Sequence, residues 1–488
     1  MSDGRAIRMA IAALPAALIA LNLLSIPGYT GDDAFIHFTY ARNLAEHGIV
    51  GYNTPFPTYG STSILWVFLC AGFSFLSGNV VLTGRVLSAI LTVSSAALFA
   101  GYLSGTVRLS PRLVLAGMVI YLVNAVMFRW MMTGMETGLT LFVAVLILRS
   151  WSPAHPLRNA FLTIAAYLDR PEFILVPLAY AVTLALRRGG KGVRDAGGRR
   201  EAAVYYPATA ALFACWFFAA SGYFHMLLPL TAFKSGSVFD LESLYRFGAV
   251  AGGMYPDLLV LVILVALAGR HSREALRGVP PAEALLFVFS ALVLGMYALK
   301  GTNVISRYLI IVHPAAVLLA VRLLARLDTG RWLSRAALGI AAVQAALFLT
   351  LHFGAIRSFV SGFQSTYTSL GRQLAADRDT GSVMVADVGI VGYYSRRPLI
   401  DASGLVSTHT RDAGTAADTA LIARYRPRFV IARLASPAID SCALRWMTSV
   451  PGLTGVRRLR HDRIGRLGTM GHAQDTYDIY LMRLDWGE

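Results

Sequence analysis

Residues 9–26 read MAIAALPAALIALNLLSI, an apolar run broken only by Pro15, Asn22 and Ser25. As a helix it would be about 27 Å long, close to the hydrocarbon thickness of a bilayer. Arg5 and Arg8 precede it, which predicts a cytoplasmic N-terminus. Its length and the lack of a small-x-small cleavage site predict a retained anchor rather than a signal peptide. A similar run recurs at Ala282–Leu299, with Glu283 near its start. Over all 488 residues, hydrophobic residues make up 56% and charged residues 15%, against about 25% charged in an ordinary soluble protein. Mean hydropathy is +0.57. These values define a polytopic membrane protein and exclude a wholly soluble enzyme or nucleic-acid binder.

The net charge of +17 comes from 44 basic and 27 acidic residues. In a membrane protein such an excess first reflects cytoplasmic loops. Only Lys191, Lys234 and Lys300 are lysines, and a skew that strong towards Arg suggests a GC-rich bacterial genome. Cys70, Cys215 and Cys442 lie far apart, with neither metal spacing nor a disulfide framework.

Eleven spans are predicted, near 7–26, 80–104, 112–130, 137–150, 158–168, 171–187, 202–220, 246–269, 282–299, 306–325 and 335–353. The loops this assigns to the cytoplasm carry Arg108 and Arg112, then a cluster from Arg187 to Arg200, then Arg270, Arg273 and Arg277, then Arg322 to Arg335. Loops assigned outside carry isolated cations, as the Lys/Arg bias requires. One helix over 158–187 would be about 45 Å long and would bury Asp169, Arg170 and Glu172. Pro171 supplies a break there.

Two regions are placed outside the membrane. The first is loop 27–79, whose apolar stretch Ser63–Phe75 is short for a span and reads as an interfacial or re-entrant helix. The second is the tail, residues 355–488. Buried strands are expected at Val383–Ala386, Phe429–Ala432 and Ile479–Met482, with helices at 358–378 and 415–425, giving a small α/β domain. The chain thus divides into a membrane domain over 1–354 and a soluble domain over 355–488.

Immediately after the first run comes Gly31-Asp32-Asp33-Ala34-Phe35-Ile36-His37-Phe38-Thr39-Tyr40-Ala41-Arg42-Asn43. A carboxylate at the membrane boundary can take the proton of a hydroxyl nucleophile, and a neighbouring carboxylate raises the proton affinity of one member. A structural reading stands beside this one. Thr30 with Asp33 resembles a capping box opening a helix over 33–47, which Gly48 would end. On the same outer face lie Lys234, Lys300, Arg307 next to Tyr308, and Arg170, cations suited to a phosphate or to lipid head groups. Glu136 either pairs with Arg129 or meets a substrate. His37, Tyr40, Glu136 and Tyr59 are candidates for sugar or acceptor contact, though aromatics here also fit an interfacial belt. Asp32 and Asp33 could bind a divalent cation but are too few ligands to predict one.

The ordered series Asp32-Asp33-Ala34-Phe35-Ile36, Tyr40-Ala41-Arg42-Asn43-Leu44 and Gly60-Ser61-Thr62-Ser63-Ile64-Leu65-Trp66 resembles the GT-C superfamily of polyprenyl-phosphate-sugar glycosyltransferases. The likeness is to the bacterial branch that includes the actinobacterial terminal arabinofuranosyltransferases. Gly134-Met135-Glu136-Thr137, Leu168-Asp169-Arg170-Pro171-Glu172, Leu228-Pro229-Leu230-Thr231-Ala232-Phe233-Lys234, Arg307-Tyr308-Leu309 and the tail stretch from Asp387 to Asp401 extend it over most of the chain. The resemblance implies glycosyl transfer at the extracytoplasmic face of a bacterial cytoplasmic membrane. Asp32 or Asp33 would activate the acceptor hydroxyl, and Lys234, Lys300, Arg307 and Arg170 would hold the donor phosphate. The partners would be a polyprenyl-phosphate sugar, with arabinofuranose as the candidate sugar, and a cell-envelope polysaccharide or lipid acceptor, with no nucleic acid. Two other classes remain open on sequence: a flippase for lipid-linked sugars, and a non-catalytic envelope assembly protein. A transporter is expected to carry ionisable groups near mid-membrane and paired halves, and neither is evident.

Overall fold

A computed structural model describes residues 2–188, 196–230, 237–238, 241–255, 279–301, 306–326, 330–406, 418–434, 450–465 and 476–487. Six helices in it are long and apolar enough to cross a membrane: Arg5–Ser25, Val80–Gly105, Arg200–Phe224, Pro281–Leu299, Ser306–Leu323 and Ala337–Ala376. Pro171–Leu186, Pro111–Leu122, Thr137–Ser150 and Ile64–Ser77 are shorter apolar helices.

Where the structure departs from the eleven expected spans, local chemistry explains the difference. The span expected over 112–130 stops at Leu122, and a short helix restarts at Ala125. Asn124 sits between them and its side chain accepts the N–H groups of Val126 and Met127, satisfying donors that a new helix start exposes. Residues 158–187 break at Pro171, as expected, into Pro156–Asp169, a 3₁₀ turn and Val176–Arg188. The span over 306–325 opens as a 3₁₀ helix, Ser306–Val312, before turning α-helical. Much of 246–269 lies outside the described residues.

The division at 354 falls inside a helix. From Gly330 the chain stays helical to Ala376, passing through π-helical turns at Phe348–Phe353 and Val360–Gln364. Its 40-residue apolar part is about 60 Å long, twice the hydrocarbon thickness. The last span therefore continues without a linker into the helix expected at 358–378. Gln364, at the end of the second π turn, accepts from Thr30 N–H at 3.2 Å and donates to the Gly28 carbonyl at 2.8 Å, tying this helix to the start of the first loop.

The tail carries a five-stranded sheet. A ribbon in the membrane domain, β1 (Ser237–Val238) with β2 (Lys300–Gly301), precedes it in the chain. The tail strands are β3 (Val383–Val385), β4 (Leu399–Asp401), β5 (Phe429–Leu434), β6 (Leu453–Gly465) and β7 (Thr476–Trp486). Their order is β4-β3-β5-β7-β6, with β4, β3 and β5 parallel and β7 and β6 antiparallel. All three expected strands are present. β4 and β6 were not expected, because β4 is three residues long and β6 carries Arg457-Arg458-Leu459-Arg460-His461-Asp462-Arg463 instead of an apolar run. The helix Val388–Ser395 connects β3 to β4 and packs on the first loop.

Away from the tail, Glu283 is fully buried and pairs with Arg322 at 2.5 Å, while Tyr102 donates to it at 2.7 Å. Glu283 stands fourteen residues before Tyr297, about 21 Å along the same helix. Arg322→Ala should lower stability by about 3–5 kcal/mol, since it strands a buried charge, whereas Arg322→Met with Glu283→Gln should be near neutral. Thermal unfolding in detergent checks this, and equal midpoints for the two variants would refute it.

Candidate functional site

The first-loop helix runs Asp32–His47 and ends at Gly48, whose φ of 71° is the left-handed cap that glycine allows. The capping box expected from Thr30 does not form: Gly31 is the N-cap, and Thr30 Oγ1 donates to the Gly28 carbonyl. The helix begins one residue earlier than expected, so both aspartates occupy its first turn, where the helix dipole favours negative charge. Within it Phe35, Phe38, Tyr40 and Ala41 are buried, fixing its roll.

Two consecutive helical residues point about 100° apart, and here that separates the carboxylates. Asp32 turns to the tail. Its Oδ1 accepts the Ile390 N–H at 2.8 Å and its Oδ2 the Gly389 N–H at 3.1 Å. Burial, then the neighbouring charge of Asp387, push its carboxyl up to about 7, although the two backbone N–H groups favour the anion. Asp33 turns to the membrane domain, pairs with Arg307, and keeps 39% of its side chain exposed.

From Arg307 a chain of contacts leads inward. Its guanidinium lies 5.4 Å from the Trp130 ring and 5.5 Å from the Tyr308 ring. Arg170 lies on the same Tyr308 ring at 5.3 Å, so the two cations share one aromatic side chain. Arg170 donates to Glu136 at 2.7 Å and to Glu172 at 2.7 Å, and Tyr297 donates to Glu172. His37 Nε2 lies 3.5 Å from Glu136, and its Nδ1 shares a hydrogen bond with Ser61 at 2.9 Å. Burial raises the proton affinity of Glu136, but the His37 hydrogen bond and the charges of Arg170 and Arg307 outweigh it and hold the carboxyl well below the usual range. Glu136 owes its place to Gly134, whose φ of 79° turns the chain. A Cβ at Gly134 would stand 2.5 Å from the Phe38 ring, and Trp66 Nε1 donates to the Gly134 carbonyl at 3.0 Å.

The structure thus brings together Asp33, Arg307, Arg170, Glu136 and His37. The expected Glu136–Arg129 pair is replaced by Glu136–Arg170; Arg129 instead donates to Tyr29 Oη at 3.2 Å and meets His352 at 3.3 Å. Tyr40 is fully buried, sharing a hydrogen bond with Thr58 at 2.8 Å and accepting the Gly60 N–H at 3.0 Å, so it braces the loop. Tyr59 is buried too, stacked on Phe224 at 4.8 Å. Neither presents an open ring face to a sugar. The Lys300 backbone pairs with Val238, while its side chain and all of Lys234 lie outside the described residues. Among the described residues no group of three or more His, Cys, Asp or Glu side chains gathers that could hold a metal ion. Trp130, Glu172 and Tyr297 carry no site role in the sequence reading; the local signal for Glu172 is its position two residues after Arg170.

A family profile described as a domain of unknown function (DUF8728) matches residues 358–480, the tail. No curated protein matches the chain. Among solved structures, ArnT from Cupriavidus metallidurans bound to undecaprenyl phosphate aligns with a TM-score of 0.58 at 11% identity, covering 97% of each chain. The archaeal oligosaccharyltransferase AglB from Archaeoglobus fulgidus, in complex with an inhibitory peptide and a dolichol-phosphate, aligns at 0.58 and 10%, covering 92% of this chain and 71% of that one. Arabinofuranosyltransferase AftD from mycobacteria aligns at 0.52 and 14%, covering 98% of this chain but 40% of its own length. The chain is a polytopic helical membrane protein of GT-C fold with an α/β tail domain. At these identities the likeness defines the fold and leaves the reaction to be argued from the site.

Proposed function

We propose that this chain is a membrane glycosyltransferase that moves one sugar from a polyprenyl-phosphate carrier to a hydroxyl of a cell-envelope glycan or lipid, at the extracytoplasmic face. The observation that carries the reading is the Asp33–Arg307 couple: a partly exposed carboxylate set against a buried guanidinium, beside the face where the tail docks. Arg307 Nε is buried with no hydrogen-bond partner among the described residues, leaving a donor available to an anion. The neighbours ArnT and AglB, whose structures hold undecaprenyl phosphate and a dolichol-phosphate, support a lipid phosphate as that anion.

In the proposed step Arg307 leaves Asp33 for the donor phosphate, as charge-assisted hydrogen bonds to phosphate are strong. The freed Asp33 carboxylate takes the proton of the acceptor hydroxyl. That oxygen bonds to the anomeric carbon, and the bond from this carbon to the phosphate oxygen breaks with its electron pair staying on phosphate. The fixed charge of Arg307 stabilises the leaving group. Arg170, already bonded to two glutamates, supports Arg307 through Tyr308 rather than meeting phosphate itself. Lys234 and Lys300 are proposed as further phosphate contacts from their positions in the sequence. We take arabinofuranose as the sugar, on the sequence resemblance and the likeness to AftD.

Purified protein with labelled polyprenyl-phosphate arabinofuranose and an envelope-glycan acceptor should form product without any membrane gradient. Arg307→Ala should raise the donor KM about tenfold or more, as loss of a charged hydrogen bond is worth about 1.5–3 kcal/mol. Movement of labelled donor across vesicles, with no product for any sugar in a panel, would favour a flippase instead.

A further inference from the structure

The first-loop helix and the tail are joined by a series of polar contacts centred on the aspartate that does not face Arg307. Asp32 accepts two consecutive backbone N–H groups at the start of helix Val388–Ser395. Tyr52, from the same loop, donates its hydroxyl to the Val388 carbonyl at 2.6 Å. Arg42 donates to the Tyr393 carbonyl at 2.6 Å and covers the Tyr393 ring at 4.9 Å. Asn53 exchanges two hydrogen bonds with the Leu399 backbone, at 2.8 and 2.9 Å. Asp401, fully buried at the end of β4, accepts the N–H groups of Ser403, Leu405 and Val406, holding a turn against Gly60.

Two glycines make this approach possible. A Cβ at Gly389 would stand 1.9 Å from the Asp32 carbonyl oxygen, and one at Gly392 would stand 1.9 Å from Tyr52 Oη. Both are helical, so it is the partner's closeness rather than a special backbone angle that requires glycine. The carboxyl-end turns of the parallel strands β3 and β4 both face the first loop, where α/β sheets commonly present their functional surface.

We propose that the tail is a working part of the reaction centre: by gripping Asp32 it fixes the first turn of the loop helix, and so the position of Asp33 against Arg307. Asp32 is then a positioning residue, and Gly389 and Gly392 are its counterparts on the tail. A reactive group must be held within a fraction of an ångström to be effective, and Asp33 is the residue next to the clamp. This rests on the glycosyltransferase reading for its kinetic consequences, but not for the docking itself.

The test compares Asp32→Asn, Asp32→Ala, Gly389→Ala and Tyr52→Phe by two readouts. The first is hydrogen exchange at the amides of Gly389 and Ile390, which needs no substrate. Asp32→Ala and Gly389→Ala should speed exchange at both amides tenfold or more, Asp32→Asn, which retains one acceptor oxygen, should keep one of the two amides within threefold of the parent while the other speeds up, and Tyr52→Phe should change both less than threefold. The second is transfer. Asp32→Ala and Gly389→Ala should lower kcat tenfold or more with donor KM unchanged within twofold, and Asp32→Asn should restore kcat to within about threefold of the parent. A positioning group tolerates that isostere and a proton acceptor does not. If Asp32→Asn is as inactive as Asp32→Ala while one of the two amides keeps the parent's exchange rate, Asp32 takes the proton itself and the proposal is overturned. Unchanged exchange in Asp32→Ala would overturn the docking role. If the parent forms no product from any donor yet exchange responds as expected, the reaction reading fails and the docking stands.

Discussion

Asp33→Asn is expected to abolish detectable transfer, with kcat falling by about 10²–10⁴-fold while the protein inserts, folds and still binds the lipid donor. Asparagine preserves the shape of the side chain and its fit beside Arg307 but cannot accept the acceptor's proton. Donor affinity should hold or rise slightly, because Arg307 no longer has to leave a carboxylate to reach phosphate. The Asp33 side chain is 39% exposed, so the substitution creates no cavity, but it takes the counter-charge from the buried Arg307 guanidinium and keeps only a neutral acceptor beside it, and stability should fall by about 1–3 kcal/mol. Single-turnover assays with donor in excess separate binding from chemistry. Retention of more than a tenth of the parent kcat would remove Asp33 as the proton acceptor.

Arg170→Ala carries the largest expected effect on stability. The Arg170 side chain is 9% exposed and bridges Glu136, at 2%, and Glu172, at 10%. Its removal leaves two buried carboxylates without their shared cation, at a cost of about 3–5 kcal/mol or more. Arg170→Lys should recover only part of this, since an ammonium lacks the planar fork that reaches both partners. Combining Arg170→Met with Glu136→Gln and Glu172→Gln should recover most of the stability while leaving transfer impaired, because the support behind Tyr308 and Arg307 is then uncharged. Thermal unfolding in detergent reads the series, and an Arg170→Ala midpoint equal to the parent's would contradict a structural role for the bridge.

The membrane character was legible because bilayer spanning imposes length and hydropathy on the sequence itself, as residues 9–26 and 282–299 illustrate. The loop helix was legible for a similar reason: its acidic first turn and terminal Gly48 are local signals. Breaks inside apolar segments were less visible. Asn124 ends one helix and caps the next without altering the average hydropathy. The run through residue 354 looked like a boundary because polarity rises there, yet the backbone hydrogen bonds continue regardless of what surrounds them.

Within the site, residue types were readable and pairings were not. Arg129 stands seven residues before Glu136, two helical turns if the chain ran straight, but the reversal at Gly134 aims Glu136 at Arg170 instead. Tyr40 and Tyr59 looked like ring surfaces for a sugar, and their burial follows from packing that no local pattern encodes. The division of labour between Asp32 and Asp33 was invisible for a plainer reason. The two N–H groups that claim Asp32 lie more than 350 residues further along the chain, and backbone donors leave no mark in a side-chain sequence.

Direct binding of polyprenyl phosphate tests the account at its centre without knowledge of the sugar or the acceptor. Titrating the bare lipid phosphate into purified protein in detergent should give saturable binding. Arg307→Gln should weaken it tenfold or more, and Asp33→Asn should leave it equal or tighter. Equal affinity for the parent and Arg307→Gln would show that the phosphate binds elsewhere and that the Asp33–Arg307 couple is not where transfer takes place.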